Sequence, residues 1–523
     1  MNKTPLLTWK GRRVRSPEDS PESSIRKVPD APLRSGSLFF VPSPLEGWGL
    51  DVLLERLPSD SIVVLFEKDD DLRAHCRPAM EDLLGEKTED CRLFWLEEDT
   101  EASIRSLMSS LPLNALRRCE FLTLNGAWLF YRVRYRDIFN RLEDGLTRWW
   151  SNRITCLHMG PLWIRNLFTN LAAAGPSWTP WPDWGSDPIF VCGAGVTLEE
   201  ALPWIQKHRN QIRLLAADTA LPILRDWNLV PDGVVCLEAQ HANLRDFAGW
   251  TGAPVQLFTD LTSFPPGSRI FSRAPCWFIT EFTELSLWSR WPWSQSTIPR
   301  IPPLGSVGVA AAWIAWKLSK GPVILAGLDF SFPHGRTHAR GAPSLSAMAS
   351  RSDRLHPMEQ TGTWRTEGIR KDTATGWLTT PVMQGYAWVL SDQARSNALR
   401  TATWSDQGLV MDLPVWNRCI PGKKLQPATV QNLVTYEEDP REWLQTEKTR
   451  WKQLLESFER LNRDPGSQEK LSHLKSDLLE VDYLTFSFPD PELRLESDWL
   501  IRAQRQIRWI LERVETLSRR HSS

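Results

Sequence analysis

Short, continuous apolar runs alternate with longer amphipathic stretches through most of the chain, and the end switches to a helical period. The runs Ser37–Val41, Ile62–Phe66, Leu93–Trp95 and Phe121–Leu124 read as strands separated by helical segments, which predicts a first α/β domain around a parallel sheet. Residues around 126–174 read as helix and end in a loop crowded with Pro and Trp, Gly175–Gly185. A second series of strands begins sharply at Pro188–Cys192 and continues through Ile212–Ala217, Gly233–Leu237, Leu257–Thr259 and Val323–Ala326. A polar segment with few strand signals follows, to about residue 425. Near the end, Trp451, Leu454, Leu455, Phe458 and Leu461 mark one helical stripe, and Leu500, Ala503, Ile507, Ile510, Val514 and Leu517 mark another. The arginines beside the second stripe, Arg502, Arg505, Arg508 and Arg513, read as a solvated face. Any exposed remainder of the stripe suits a partner or a second subunit, so a homo-oligomer stays open. The predicted fold class is α/β, with two Rossmann-like domains built on parallel sheets and a C-terminal helical region. The expected divisions are 1–35, an irregular leader; 36–175, the first Rossmann-like domain; 186–425, the central domain; and 426–523, the helices.

Length and charge narrow the function classes. A chain of 523 residues holds two to four domains. Its 62 basic and 63 acidic residues nearly cancel, which removes any global electrostatic case for nucleic acid or an anionic membrane. The eight cysteines show no C-x-x-C pair and no clustering, so they read as buried thiols in a reducing compartment. No stretch approaches a membrane span and the N-terminus lacks the apolar core of a signal peptide; the expectation is a soluble, cytoplasmic protein. The 28 tryptophans against 5 tyrosines are expected to be mostly core.

Candidate chemistry gathers in the second series. In the first, the turn Pro42–Gly49 stands where a Rossmann domain carries its glycine loop, and Glu67 ends the next strand as a ribose-binding acid would. Prolines replace the needed glycines there, which favours a purely structural turn. By contrast, Ile189–Cys192 runs into Gly193-Ala194-Gly195-Val196-Thr197 and then Leu198-Glu199-Glu200, a strand, glycine turn and helix start suited to cradling a phosphate. Thr197 and Glu200 have capping-box spacing, and Pro203 is expected to kink or divide the helix. Asp218 and Thr219, then Glu238, then Asp260 close the following strands, and such ends line one crevice in an open parallel sheet. Gly305-Ser306 opens a second apolar helix. Asp329 follows Val323–Ala326, and a loop with His334, Arg336, Thr337, His338 and Arg340 follows that. Histidine is the usual base near neutral pH, and arginine matches phosphate or carboxylate. A His-x-x-x-His metal pair needs a helix, which the flanking glycines oppose, so no metal site is expected.

These motifs, G-A-G with L-E-E-A-L-P-W, then A-x-D-T-A, V-P-D, G-S-V, G-L-D-F and G-R-T-H-A, come in an order that resembles the motility accessory factor (Maf) glycosyltransferases. The central domain of that family is in turn similar to 6-hydroxymethylpterin diphosphokinases of the MptE type, and the likeness covers roughly residues 185–345. It implies a Rossmann-like, sialyltransferase-like central domain. It implies that Gly193, Ala194, Gly195 and Thr197 hold the donor phosphate, with Val196-Thr197 where the family has Pro-Ser. Asp218, Thr219, Gly305, Ser306, Asp329, Thr337 and His338 match further family positions, and Glu238 stands where the family usually carries Asp. Downstream, Thr403–Gly408 is the degenerate counterpart of an Asn-x-Thr-Glu-Gly-Gly stretch.

The resemblance implies transfer of a nonulosonic acid, of the sialic, pseudaminic or legionaminic type, from a CMP-linked donor to Ser or Thr of flagellin or another protein acceptor. No cofactor is required for that chemistry. Arg336 or Arg340 would pair with the sugar carboxylate, and His338 or one of the acids Asp218 and Asp329 would take the acceptor proton. Two alternatives accompany it: a Mg2+- and ATP-dependent diphosphokinase of a pterin-like alcohol, with acids at the strand ends as ligands, and a non-catalytic flagellin-binding scaffold.

Overall fold

The structure, a computed structural model of the chain, describes residues 8–15, 20–29, 32–85, 91–174, 177–282, 285–293, 298–355, 357, 370–371, 376–395, 397–409, 411–419, 425, 434–435, 440–464, 467–487 and 497–520. The chain divides into two compact units, Met1–Leu157 with Phe488–Arg494, and His158–Ser487 with Leu495–Ser523. The division falls inside the long helix Arg132–Ala173, upstream of the Pro/Trp loop. Residues 426–433, where the helical region was expected to begin, lie outside the described residues.

The first unit is built on β1 (Ser37–Pro42), β2 (Ile62–Phe66), β3 (Leu93–Trp95) and β4 (Arg118–Phe121), all parallel in the order β3-β2-β1-β4. Side chains alternate between the two faces of a strand, and here both faces are covered. Leu38, Phe40, Ile62, Val64 and Phe66 pack with Tyr135, Ile138 and Leu142 of the long helix. On the other face, Phe39, Val41, Val63 and Leu65 meet Leu50, Leu53, Leu54 and Met80. That double burial is why β1 and β2 are unbroken apolar runs. β4 starts at Arg118, three residues before its expected beginning, because its polar residues Arg118 and Glu120 hide an edge strand from a hydrophobic pattern. The leader is less irregular than expected: Thr8–Trp9 and Arg12–Arg13 form a hairpin, and Pro21–Ile25 a short helix.

The second unit holds an eight-stranded parallel sheet. Its strands are β5 (Ile189–Cys192), β6 (Arg213–Ala217), β7 (Gly233–Cys236), β8 (Gln256–Asp260), β9 (Cys276–Thr280), β10 (Arg300–Ile301), β11 (Val323–Ala326) and β12 (Thr401–Thr403). The order is β10-β9-β8-β7-β6-β5-β11-β12. One face packs Phe190, Leu214, Ala216 and Val234 against Leu198, Leu202 and Ile205; the other packs Val191, Leu215, Val235 and Phe258 against Val309–Ala315. Each buried Val, Leu, Ile or Phe among them contributes roughly 1.5–3 kcal/mol. Because the chain leaves β5 toward β10 and returns on its other side at β11, the direction of winding reverses between β5 and β11. An open sheet has its crevice at that reversal, beyond the carboxyl ends of the strands.

The helices Pro440–Arg463, Gln468–Glu480 and Ser497–Arg520 close this unit. Their apolar stripes are inward: Trp451, Leu454 and Phe458 of the first, and Ala503, Ile507, Ile510 and Val514 of the last, are buried, while Arg502, Arg505, Arg508 and Arg513 are exposed. Trp451 Nε1 donates to the Tyr483 hydroxyl at 2.6 Å, which satisfies both polar atoms within the apolar cluster. Two thiols depart from the expectation of burial, since Cys91 and Cys419 are exposed; Cys76, Cys192, Cys236 and Cys276 are buried, and all eight are free. Among the described residues no helix is long and apolar enough to cross a membrane. The fold is α/β with two Rossmann-like parallel sheets and a C-terminal helical region.

Candidate functional site at the reversal of the central sheet

Two glycines, one in the turn after β5 and one in the first turn of a helix, converge on one leucine at the carboxyl ends of β5 and β11. A Cβ on Gly193 would lie 2.5 Å from Leu328 Cδ2 and 2.4 Å from the Gly327 carbonyl oxygen; one on Gly308 would lie 2.4 Å from the same Leu328 carbon. The turns must therefore be bare for the two loops and the helix Val307–Leu318 to approach. Gly305, with φ +74°, sits under the ring of Tyr386. Ser306 caps the helix through a side-chain oxygen that accepts from Gly308 N.

The Gly193–Thr197 turn uses its amides differently from an open phosphate cradle. Gly193 N donates to Ala326 O and Gly195 N to Gly327 O, each at 2.8 Å. Thr197 N donates to Asp329 Oδ2 at 3.0 Å, and its hydroxyl donates to Asp329 Oδ1 while accepting from Gly327 N at 3.2 Å. The expected Thr197–Glu200 capping box is absent: Thr197 makes no side-chain cap bond and has helical dihedrals, because its hydroxyl is committed to Asp329, 132 residues away. The Asp329 carboxylate is thus the anion at this helix N-terminus. Burial pushes it up to about 6 against the hydrogen bonds from Thr197 and Val196, and Glu200 adds to the rise. Pro203 also behaves differently from expectation, for the helix Leu198–Lys207 runs through it uninterrupted.

The His/Arg loop lies across the glycine turn. Ala339 N donates to Ala194 O at 2.9 Å. Glu199 accepts Arg336 Nη1 on both oxygens, at 3.0 and 3.1 Å, and the Arg340 amide at 2.7 Å. Gly341, at φ +93°, tucks against Ile223 and Asp226. Between these pins His338 is partly buried, its Nδ1 is 3.0 Å from Thr337 Oγ1 and burial lowers its pKa, so the ring is neutral near pH 7 and, in the tautomer that donates from Nδ1 to Thr337, its Nε2 can accept a proton. Arg336 is spoken for by Glu199, whereas the Arg340 side chain is exposed.

The remaining strand-end acids differ sharply in setting. Asp218 is buried, accepting Thr219 N at 2.8 Å and Asn243 Nδ2 at 2.9 Å. The same Asn243 amide reaches Asp246 Oδ2 at 3.1 Å, and its oxygen accepts the Cys236 thiol at 3.3 Å. Burial, with the Asp246 charge second, pushes Asp218 up to about 7. Glu238 is exposed and closes a local turn by accepting Gln240 N at 2.8 Å. Asp260 departs from the expected cleft: it is buried, and its oxygens accept from Thr262 N and Oγ1 and from Thr280 N at 2.6–2.7 Å. The structure therefore brings together Gly193–Thr197, Gly305, Ser306, Asp329 and the loop of Thr337 and His338, and leaves Asp260 as an internal brace. Sequence reasoning missed Asn243, Asp246 and Tyr386, which carry no local motif. It read Glu199 only as helix start, although an acid in a first helical turn facing an Arg-rich loop is a usable signal. The degenerate Thr403–Gly408 stretch belongs here too, since Leu409 N donates to Asp329 O at 2.9 Å and Gly408 approaches the same residue.

In the comparisons with known proteins, residues 164–335 match the family described as 6-hydroxymethylpterin diphosphokinase MptE-like. An uncharacterised protein of Treponema pallidum (strain Nichols) is 28% identical over 361 residues, 68% of this chain and 61% of that protein. A second uncharacterised protein of the same organism is 31% identical over 86 residues, 16% of this chain and 41% of that one. The chain thus spans about three fifths of the first relative's length. Among solved structures, the MAf glycosyltransferase from Magnetospirillum magneticum AMB-1 superposes with a TM-score of 0.52 at 12% identity, covering 98% of this chain and 86% of that one. With the fold and the ordered motifs above, residues 164–335 match the MptE-like family, within a chain that shares the fold of a Maf glycosyltransferase.

Proposed function

We propose that the chain is a glycosyltransferase that moves a nonulosonic acid from a CMP-linked donor to a Ser or Thr hydroxyl of flagellin or another protein acceptor. The observation that carries the reading is the convergence of Gly193 and Gly308 on Leu328 at the sheet reversal, with the loop of a neutral His338 held across the glycine turn. The shared fold with a Maf glycosyltransferase supports it. Asp329 already neutralises the helix N-terminus at Thr197, so the leaving CMP phosphate is assigned to the helix capped by Ser306. Donors pre-aimed at a departing phosphate lower the barrier electrostatically. Arg340 pairs with the sugar carboxylate, and Arg336, held by Glu199, fixes the loop. The acceptor oxygen attacks the anomeric carbon, the bond from that carbon to the phosphate oxygen breaks, CMP departs with the electron pair, and His338 Nε2 takes the hydroxyl proton. No resident cofactor enters these steps.

The diphosphokinase reading needs Mg2+ between phosphates, and the acids fit that ion poorly. Asp260 and Asp329 use their oxygens internally, and among the described residues no group of three His, Cys, Asp or Glu side chains has an arrangement that could hold a metal ion. Calorimetric titration with CMP and with ATP, each with and without magnesium, tests the proposal. Saturable CMP binding indifferent to magnesium is expected. Magnesium-dependent ATP binding with none for CMP would overturn it in favour of the kinase, and silence for both from a folded protein would favour the scaffold.

A further inference from the structure

The first domain has its own sheet reversal, between β1 and β4, and the chain's leader fills the crevice there. The leader hairpin turns at Lys10-Gly11, φ +46° and +74°, the left-handed pair that a two-residue turn requires. From it Arg15, 2% exposed, drops beside the turn that follows β1: its Nη1 is 2.5 Å from Glu46 Oε2 and its guanidinium lies 3.8 Å from the Trp48 ring centre. Val14 is buried among Leu45, Leu72, Cys76 and Ala127. Trp9 Nε1 and Lys10 Nζ reach Asp69 Oδ2 at 3.3 and 2.9 Å, and Lys10 approaches Asp71 at 3.5 Å. Residues 8–15 carry Lys10, Arg12, Arg13 and Arg15 and no acid, while the surface they cover presents Glu46, Asp69 and Asp71. Such a surface repels a phosphate and suits a cation stacked on an aromatic ring. Glu67, which stands where a ribose-binding acid would, is unavailable as well: it accepts from Ser43 Oγ at 2.5 Å, Tyr135 OH at 2.8 Å and Asp69 N at 3.1 Å.

We propose that the carboxyl-edge crevice of the first domain is a recognition site for a basic peptide segment bearing tryptophan and arginine, occupied here in cis by residues 8–15. Lys10 is exposed and its pairs hold little; Arg15 is the anchor, because a buried ion pair broken from one side leaves a charge stranded. The segment is bound as a ligand and can be exchanged for another of the same chemistry.

The test uses the full chain carrying Lys10→Glu and Arg15→Glu and a fluorescent synthetic peptide of residues 5–18, read by anisotropy. The variant should bind the peptide roughly tenfold or more tighter than wild type, whose own leader competes. Binding should weaken between about 50 and about 300 mM salt, and a peptide with Arg15→Glu should not bind. A variant with unchanged far-ultraviolet dichroism that ignores the peptide would overturn the proposal, as would ATP displacing the peptide. If the variant fails to fold, hydrogen exchange on wild type decides: amides of residues 8–15 should lose protection in about 0.5 M salt while those of β1 keep theirs, and loss of protection in both together would show an integral strand pair instead of a bound ligand.

Discussion

The turns after β1 and after β5 occupy the same place in two sheets of the same winding, yet the residues that leave the strand are held differently in each. After β1 the chain uses side chains: Ser43 at φ +49° and Leu45 at φ +50°, with the Ser43 hydroxyl bonded to Glu67 and Asn125 Nδ2 donating to Ser43 O at 2.7 Å. After β5 it uses bare glycine, so that Gly327, Leu328 and Asp329 pack directly on the backbone. The first turn is bound to the leader, and the second to a buried acid and a loop of histidine and arginine. Topology places a crevice in each domain, and the loops decide what chemistry enters it.

The largest expected separation between the two turns is catalytic. His338→Ala should lower turnover about 100-fold or more with little change in CMP affinity, while Glu67→Gln should leave turnover unchanged; comparable losses in both would remove the distinction. Next is stability. Gly195→Ala places a Cβ 2.5 Å from Asp329 Oδ2 and 2.6 Å from Gly327 O, so a loss of about 3 kcal/mol is expected in denaturant unfolding. Gly85→Ala meets nothing within 4 Å, at φ +53° and ψ −126°, and its cost of about 1–3 kcal/mol should come from backbone strain alone.

A pH titration sharpens the contrast further. Asp218 and Asp329 hold their protons to about 7 and about 6 in the fold, against 3.8 ordinarily. Between those values the folded state binds more protons than the unfolded one, so this contribution to stability is full at low pH and falls as pH rises through 6 and 7. Asp218→Asn should flatten the decline, seen as a smaller difference in urea midpoint between about pH 5 and about pH 8. An unchanged difference would place the proton elsewhere. Smallest is the latch: Arg336→Ala removes a half-buried pair with Glu199 and should cost about 1 kcal/mol or less in stability, raising KM for the donor more than it lowers kcat.

What the sequence reveals follows from where burial is complete. β1, β2, β5, β6, β7 and β11 are covered on both faces, so each is an apolar run that ends at a glycine, proline or acid and is readable without a structure. β12, Thr401-Ala402-Thr403, is a short edge strand with nothing apolar to repeat, and β10 is two residues long; both are set by their neighbours. The glycine turn and the His/Arg loop are visible as motifs because glycine and histidine are chemically unusual in such numbers. Their partners are not. Thr197 with Glu200 satisfies a local helix rule, and only the fold reveals that Asp329 takes the hydroxyl. Asn243 between Asp218 and Asp246 is likewise a product of three-dimensional packing that no spacing announces. Leader residues 8–15 resemble a polar tail until Arg15 is seen beside Trp48.

Hydrogen exchange across the full chain, with and without saturating CMP, tests the central claim most directly. The account predicts new protection confined to residues 193–198, 305–310 and 328–341, with none in the first domain's turn at 43–49 or at 67–72. Protection at those first-domain turns, or none in the central crevice at CMP concentrations that saturate binding, would contradict it.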